Sequence, residues 1–356
     1  MPTAHRSVSS IMVGFALAIV SLPLPAQQIL GHLPLCEASA AVILPCPGAQ
    51  GDCLVVGDNE VKDQLFSFPI RNGAVMVDEQ GDLEFPGGGA NEVADIEALV
   101  ALNNGELLVW GSHSRNSTCE AKDKRRRFMI LNPGNERPTV ARTVASGPID
   151  CVVILGTVID NDPVANSVCE TIAEAERRAD QLAGLGSKVD CEKLAPFNAE
   201  GAMSLPGSAK SEVWIGLRAP LFATHPKDSQ RRGLAILLRL KDLKAFTADR
   251  IALLDLEGRG VRDLVYDRGD VWVIAGPSDD RGEPFQLRHF PAGALADNAI
   301  IDTTLVRDLP SSAEGLAILG HQAFVVIDGE EPENDQHSCQ KSAGLFVFDL
   351  QPTRKR

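Results

Sequence analysis

Past its first two dozen residues the sequence has no long apolar run, no surplus of positive charge, no C-x-x-C pair and none of the common catalytic signatures. Each absence removes a class of protein. A spanning helix needs roughly 20 apolar residues, and no such segment follows residue 26, so the mature chain is expected not to insert stably in a membrane. The 34 Lys and Arg are outnumbered by 48 Asp and Glu, for a formal net charge of −14. That acidic field repels a phosphate backbone and argues against nucleic-acid partners. Without C-x-x-C spacing there is no zinc knuckle or thioredoxin-type centre. A G-x-S-x-G elbow, a P-loop, H-E-x-x-H and a dinucleotide glycine fingerprint are all missing from a fitting strand and helix context. The run Gly87-Gly88-Gly89 precedes no helix start and reads as a flexible turn.

What is present begins with an export signal. His5 and Arg6 precede an apolar stretch from Ile11 to Leu22, followed by Pro23-Leu24-Pro25-Ala26. Charge, a short apolar run and a small residue in that order mark residues 1–26 as a cleaved signal peptide. Residues 27–356 are then a secreted or periplasmic domain. All eight cysteines lie in it, an even number that favours disulfides in an oxidising compartment. Cys169 and Cys191 bracket one local insertion and are the first pair to expect.

The rest reads as short apolar strands separated by Gly, Pro, Asn and Asp, for example Glu106-Leu107-Leu108-Val109-Trp110, Asp270-Val271-Trp272-Val273-Ile274 and Ala323-Phe324-Val325-Val326-Ile327. This is an all-β pattern. Four segments repeat one design, in which a charged residue opens a short strand and a second apolar strand ends in a small or polar group. They open at Glu97, Glu200, Arg262 and Glu314, and their second strands end near His113, Arg218, Gly276 and Asp328. The last three openings are spaced by about one four-stranded blade with its connections. A weaker unit runs from Ala38 to Ile70. The fold class expected is a single β-propeller of five or six four-stranded blades. Residues 27–35 are candidates for the outer strand missing from the last unit, and an irregular sixth blade around 147–160 is the alternative. A helical insertion is expected near residues 166–194, where Ile172, Ala173, Ala175, Ala179 and Leu182 share a face.

The combination Asp95-Ile96-Glu97-Ala98-Leu99, Gly111-Ser112-His113-Ser114-Arg115, Phe197-Asn198-Ala199-Glu200-Gly201, Gly216-Leu217-Arg218-Ala219-Pro220, Gly258-Arg259-Gly260-Val261-Arg262-Asp263-Leu264 and Ala275-Gly276-Pro277 resembles an uncharacterised bacterial family defined only as a domain of unknown function. The resemblance implies a propeller and no established activity. In architecture alone, the layout is also similar to phytase-like esterase and calcium-dependent lactonase propellers.

In an antiparallel hairpin the start of the first strand and the end of the second share an edge. Cyclic repetition therefore brings the opening and closing groups to one mouth of the channel, with Asp58 and Glu60 added by the weaker first unit. Glu97, His113, Glu200 and Glu314 are the candidate catalytic residues, a Glu or His113 serving as general base. Ser112, Arg115, Arg218, Arg262 and Asp328 are candidates to hold a ligand, the arginines suiting a small anionic molecule. Glu60, Glu97 and Glu200 are candidates to bind a hard cation such as calcium. Two functions stay open. One is metal-assisted hydrolysis of an ester, lactone or phosphoester. The other is a non-catalytic propeller that binds a ligand or an unknown protein, in which Glu and Arg pair to hold blades in register. The basic run Lys122 to Arg127 reads as a solvated strand edge.

Overall fold

The apolar strands of this chain are buried on both faces, because each sheet is sandwiched between two others. A computed structural model describes residues 27–85, 92–134, 138–145, 162–183, 191, 195–208, 212–222, 233–279, 283–296, 299–329 and 341–350. The expected signal peptide, the expected turn at 87–89 and the alternative sixth blade at 147–160 lie outside these residues.

Five blades make up a propeller. Each blade is built outward from the strand nearest the channel axis. Blade 1 is β2 (Ala38–Pro45), β3 (Asp52–Asp58), β4 (Gln64–Arg71) and β6 (Gly81–Glu84), with β5 (Ala74–Val75) also on β4. Blade 2 is β7 (Ile96–Ala101), β8 (Leu107–Gly111), β9 (Arg127–Asn132) and β10 (Thr139–Ala145). Blade 3 is β11 (Asn198–Met203), β12 (Val213–Ala219), β13 (Ala235–Asp242) and β14 (Thr247–Asp255). Blade 4 is β15 (Gly260–Asp267), β16 (Asp270–Gly276), β17 (Gln286–Pro291) and β19 (Thr304–Asp308). Its β18 (Ala299–Asp302) crosses over to pair in parallel with β14 of blade 3. Blade 5 is β20 (Ala313–Leu319), β21 (Gln322–Ile327) and β22 (Gly344–Asp349), completed by β1 (Gln28–Ile29). Gln28 pairs with Leu345 and Ile29 with Gly344, so the N-terminal strand closes the ring as the repeat pattern predicts.

Side-chain alternation explains the apolar runs. In β8, Leu108 and Trp110 enter the core shared with blade 3, while Leu107 and Val109 enter the core shared with blade 1. In β21, Phe324 and Val326 face blade 1 and Ala323, Val325 and Ile327 face blade 4. Period-two side chains on a strand with a neighbour on each face give two cores and no polar alternation. Full burial of each such Leu, Val or Phe contributes about 1.5–3 kcal/mol.

The innermost strands β2, β7, β11, β15 and β20 pack against one another in that cyclic order around the axis. Each carries a β-bulge at the same place in its pairing with the next strand, at Ala38/Ala40, Ile96/Ala98, Ala199/Gly201, Val261/Asp263 and Ala313/Gly315. The extra residues are Ser39, Glu97, Glu200, Arg262 and Glu314. A bulge re-aims a side chain that the pleat would send into an inter-blade core. Small residues after the bulge let inner strands approach closely, and a Cβ on Gly315 would come within 2.7 Å of the Ala40 carbonyl carbon in the next blade.

The helical insertion is α1, Pro163–Ala183. Asp162 caps it, its Oδ1 accepting from the backbone N–H of Val164 at 2.8 Å, with Pro163 in the first turn. Its buried face is Ala165, Val168, Cys169, Ile172, Ala175 and Ala179, whereas Ala173 points to solvent. The expected Cys169–Cys191 disulfide is not formed. Cys191 pairs with Cys119, at a Cα separation of 5.1 Å, because the chain leaving α1 returns over the blade 2 loop, and Cys46 pairs with Cys53 across the β2–β3 turn. Cys36 and Cys169 are also disulfide-bonded. Such bonding fits an oxidising, extracytoplasmic compartment. Among the described residues no helix is long and apolar enough to cross a membrane.

Candidate functional site

The inner strands all run the same way along the axis, so their bulged N-terminal ends meet at one mouth. A cavity of about 700 Å³ opens there. Four bulge residues are charged, and Ser39 occupies the fifth position. Toward the other end, the second halves of the same strands line an apolar pocket of about 180 Å³ with residues such as Leu99, Met203, Leu264 and Leu316. The charged side chains are thus gathered at one mouth, and mostly uncharged ones line the other.

Glu200 is 2 % exposed and stands between two guanidinium groups. Its Oε1 accepts from Arg218 Nη1 at 3.0 Å and from Asn198 Nδ2 at 2.7 Å, and its Oε2 lies 3.1 Å from Arg262 Nη1. Arg262 Nη1 also donates to both oxygens of Glu314, at 2.9 and 3.1 Å, and its Nη2 donates to the Pro277 carbonyl. Arg218 Nε donates to that same carbonyl at 3.3 Å. Phe285 lies under the Arg262 guanidinium, 5.3 Å from ring centroid to Cζ. The ion pairs therefore link the bulges of blades 3, 4 and 5.

Acid outnumbers base in this cavity, with eight acidic side chains against three arginines lining it. The carboxyls respond accordingly. Burial pushes Glu314 up from its ordinary 4.5 to about 7; Arg262 opposes the rise and Glu200 adds to it. Burial also holds the Glu97 proton well above the usual carboxylate range, reinforced by Glu200, Asp95 and Glu314.

Of the residues singled out in the sequence, Glu60, Glu97, Glu200, Arg218, Arg262, Glu314 and Asp328 all line this cavity. Four others do not. His113 adopts a left-handed backbone, φ +58°, that turns its ring away from the channel. The imidazole stacks on Trp110 at 4.4 Å and faces Phe246 at 6.0 Å. Burial lowers it to about 4, and its Nδ1–H donates to the Gly111 carbonyl. A neutral ring held in an aromatic stack is a packing residue. Ser112 donates to Asp95 and accepts from the Ser114 backbone, facing the loop instead of the cavity. Arg115 reaches outward to α1, 2.8 Å from both Glu176 and Asp180. Asp58 is fully buried and accepts from four backbone N–H groups, those of Cys36, Glu37, Glu60 and Val61, which makes it a loop anchor.

The sequence reading passed over Ser39, Asn198, Asp95 and Arg125, all of which line the cavity. Ser39 sits between two alanines where the other units have Glu or Arg, so its small neighbours were the available signal. Asp95 has a left-handed φ of +60°, accepts from Ser114 Oγ at 3.0 Å and lies 3.0 Å from Arg125 Nη1. Arg125 belongs to the basic run Lys122 to Arg127, expected as a solvated edge, and reaches the cavity from the β8–β9 connection.

The set Glu60, Glu97 and Glu200 does not suit calcium well. Calcium takes six to eight oxygen ligands, and Glu200 already faces two arginines. Among the described residues no three acidic, His or Cys side chains are grouped to hold a metal ion.

Fold and site define a five-bladed propeller with a carboxylate-rich cavity at one channel mouth. Residues 197–337 match the family described as a protein of unknown function, DUF3616. The matched stretch contains Glu200, Arg218, Arg262, Glu314 and Asp328, while Glu97 and the motifs at 95–115 precede it. No curated protein matches the chain. Among solved structures it is similar to a luciferin-regenerating enzyme, with 8% identity over 92% of this chain and 96% of that one and a TM-score of 0.37. PhoX of Pseudomonas fluorescens, in complex with vanadate, shares 8% identity over 88% of each chain, with a TM-score of 0.43. A GH43_1 enzyme of Xanthomonas citri, complexed with xylose, shares 10% identity over 90% of this chain and 89% of that one, with a TM-score of 0.42.

Proposed function

We propose that this exported propeller hydrolyses the neutral ester or lactone group of a small molecule in its polar channel mouth. The observation that carries the reading is the gathering of three bulge carboxyls and two guanidinium groups in one cavity, two of the carboxyls held protonated more readily than usual by burial. Burial raises Glu97 well above the usual carboxylate range, Glu314 titrates at about 7, and Glu200 lies between Arg218 and Arg262. Titratable groups pushed apart by environment serve as acid and base.

In this reading Glu314, half ionised at neutral pH, takes a proton from water as its oxygen bonds to the carbonyl carbon. Glu97 then protonates the departing alkoxide as the C–O bond breaks. Arg218 and Arg262 supply positive charge against the oxyanion. The acid excess of the cavity disfavours a phosphoester or another multiply charged group there, so the reacting group is a neutral ester or lactone. No step is routed through a metal.

A second reading rests on the ion pairs that join blades 3, 4 and 5. There the belt is structural, and the mouth binds a ligand without turnover.

The test is a panel of neutral esters, lactones and phosphoesters, each with and without added calcium. The hydrolase reading expects turnover of a neutral substrate without calcium and a drop of about 10²-fold or more in kcat for Glu97→Gln and Glu314→Gln. Turnover that appears only with calcium, or no turnover on any class, would overturn it.

A further inference from the structure

Beside the channel mouth, between blades 1 and 2, lies a second pocket of about 460 Å³ whose charge balance is opposite to that of the main cavity. Four basic side chains, Lys62, Lys122, Lys124 and Arg125, line it against three acidic ones. The two spaces share a wall. Asn59, Glu60, Asp95 and Arg125 line both, and the Arg125–Asp95 ion pair stands at the boundary.

This pocket is built by the basic run of the sequence, which does not form a single solvated edge. Arg126 turns to Glu176 of α1, 3.4 Å away, and Arg127 donates to the Glu92 carbonyl. Lys122, Lys124 and Arg125 are left on the pocket side. Arg125 is fixed there by bonds to Ser114 Oγ and the Arg115 carbonyl, at 2.8 and 3.1 Å. The connection is pinned by the Ala94 N–H donating to the Lys124 carbonyl and the His113 N–H donating to the Arg125 carbonyl, both at 3.0 Å. Lys122 pairs with Glu120 at 2.7 Å and Lys124 with Glu92 at 2.5 Å. Both lysine side chains are about half exposed; the Lys122–Glu120 pair is solvent-screened and an incoming anion can replace it at little cost, whereas Lys124 can meet an anion while keeping the largely buried Glu92.

We propose that the side pocket is a subsite for a single carboxylate carried by the substrate, whose neutral ester or lactone group lies in the adjoining Glu ring. This deepens the hydrolase reading and rests on it for the reactive half. A multiply charged anion fits less well, because the wall it would touch includes Glu60 and Asp95.

Monomethyl glutarate and dimethyl glutarate differ only in the charge at one end and make the test. The wild-type protein should favour the half-ester in kcat/KM by about tenfold, and the preference should fall as salt rises. The triple variant Lys62→Gln, Lys122→Gln, Lys124→Gln alters exposed side chains and should lose that preference, with the diester rate as the internal reference. Calorimetric binding of monomethyl glutarate to Glu314→Gln separates the two ideas. Binding there that weakens when the lysine substitutions are added supports the subsite even if no ester is turned over. A preference for the diester, or half-ester binding unchanged by the lysine substitutions, would overturn the proposal.

Discussion

Arg262 Nη1 lies 2.9 Å from Glu314 Oε1, joining the bulge of blade 4 to that of blade 5. Both side chains are largely buried, and the same Arg262 nitrogen is 3.1 Å from Glu200. Removing the guanidinium leaves two carboxylates without their shared cation. Arg262→Met should lower unfolding free energy by about 3 kcal/mol, read by urea denaturation. It should also raise the Glu314 pKa further, since Arg262 is the main influence holding it down.

The carboxyl ring gives stability a falling pH slope. Glu314 titrates at about 7 when folded and near its ordinary 4.5 when unfolded, so between those values the folded state binds more protons. Its contribution is fully present below about 4.5 and is lost as pH rises through 7. Glu97 and Asp263, both raised by burial, act in the same direction. Glu314→Gln should flatten the stability profile between pH 4.5 and 7, measured by Tm across that range.

His113 works in the opposite sense. Its folded value of about 4 lies below the ordinary 6.5, so the unfolded chain binds the proton and stability falls as pH drops from 6.5 to 4. His113→Phe keeps an aromatic ring on Trp110 but loses the bond to Gly111, for a cost of about 1 kcal/mol at pH 7. The acid-side loss should shrink in this variant. Any turnover at the mouth should keep its kcat, an outcome that a general base at position 113 would not allow.

Close backbone approach between blades 3 and 4 makes Gly260 hard to replace. A Cβ there would sit 2.1 Å from the Arg218 carbonyl oxygen, whereas one on Gly293 would meet nothing within 4 Å. Gly260→Ala should destabilise by about 3 kcal/mol in denaturant titrations and disturb Arg218. Gly293→Ala should be near neutral.

Ring closure depends on a short segment. Leu30 follows β1 and is fully buried in the core between blades 5 and 1. Leu30→Ala should cost about 2–5 kcal/mol. The loss should appear first as faster hydrogen exchange along β22, whose outer partner is β1.

Much of the fold was legible because strand formation and its repetition are local. Runs such as Leu107-Leu108-Val109-Trp110 are apolar on both faces, and the positions of Glu97, Glu200, Arg262 and Glu314 at the strand openings recur with the blade. The antiparallel hairpin then placed Glu200 beside Arg218. The disulfide partner of Cys191 was not legible, since it depends on how α1 returns over blade 2 and not on distance along the chain.

The sequence by itself determined an acidic, all-β chain whose charged strand openings gather at one channel mouth. The tertiary structure alone decided which of those groups face the cavity. Five bulges aim Ser39, Glu97, Glu200, Arg262 and Glu314 inward, and a left-handed turn sends His113 into an aromatic stack instead. Periodicity fixes where a residue stands along a strand. Its direction at a bulge or a turn is set by backbone angles and by the neighbouring blades against which it packs.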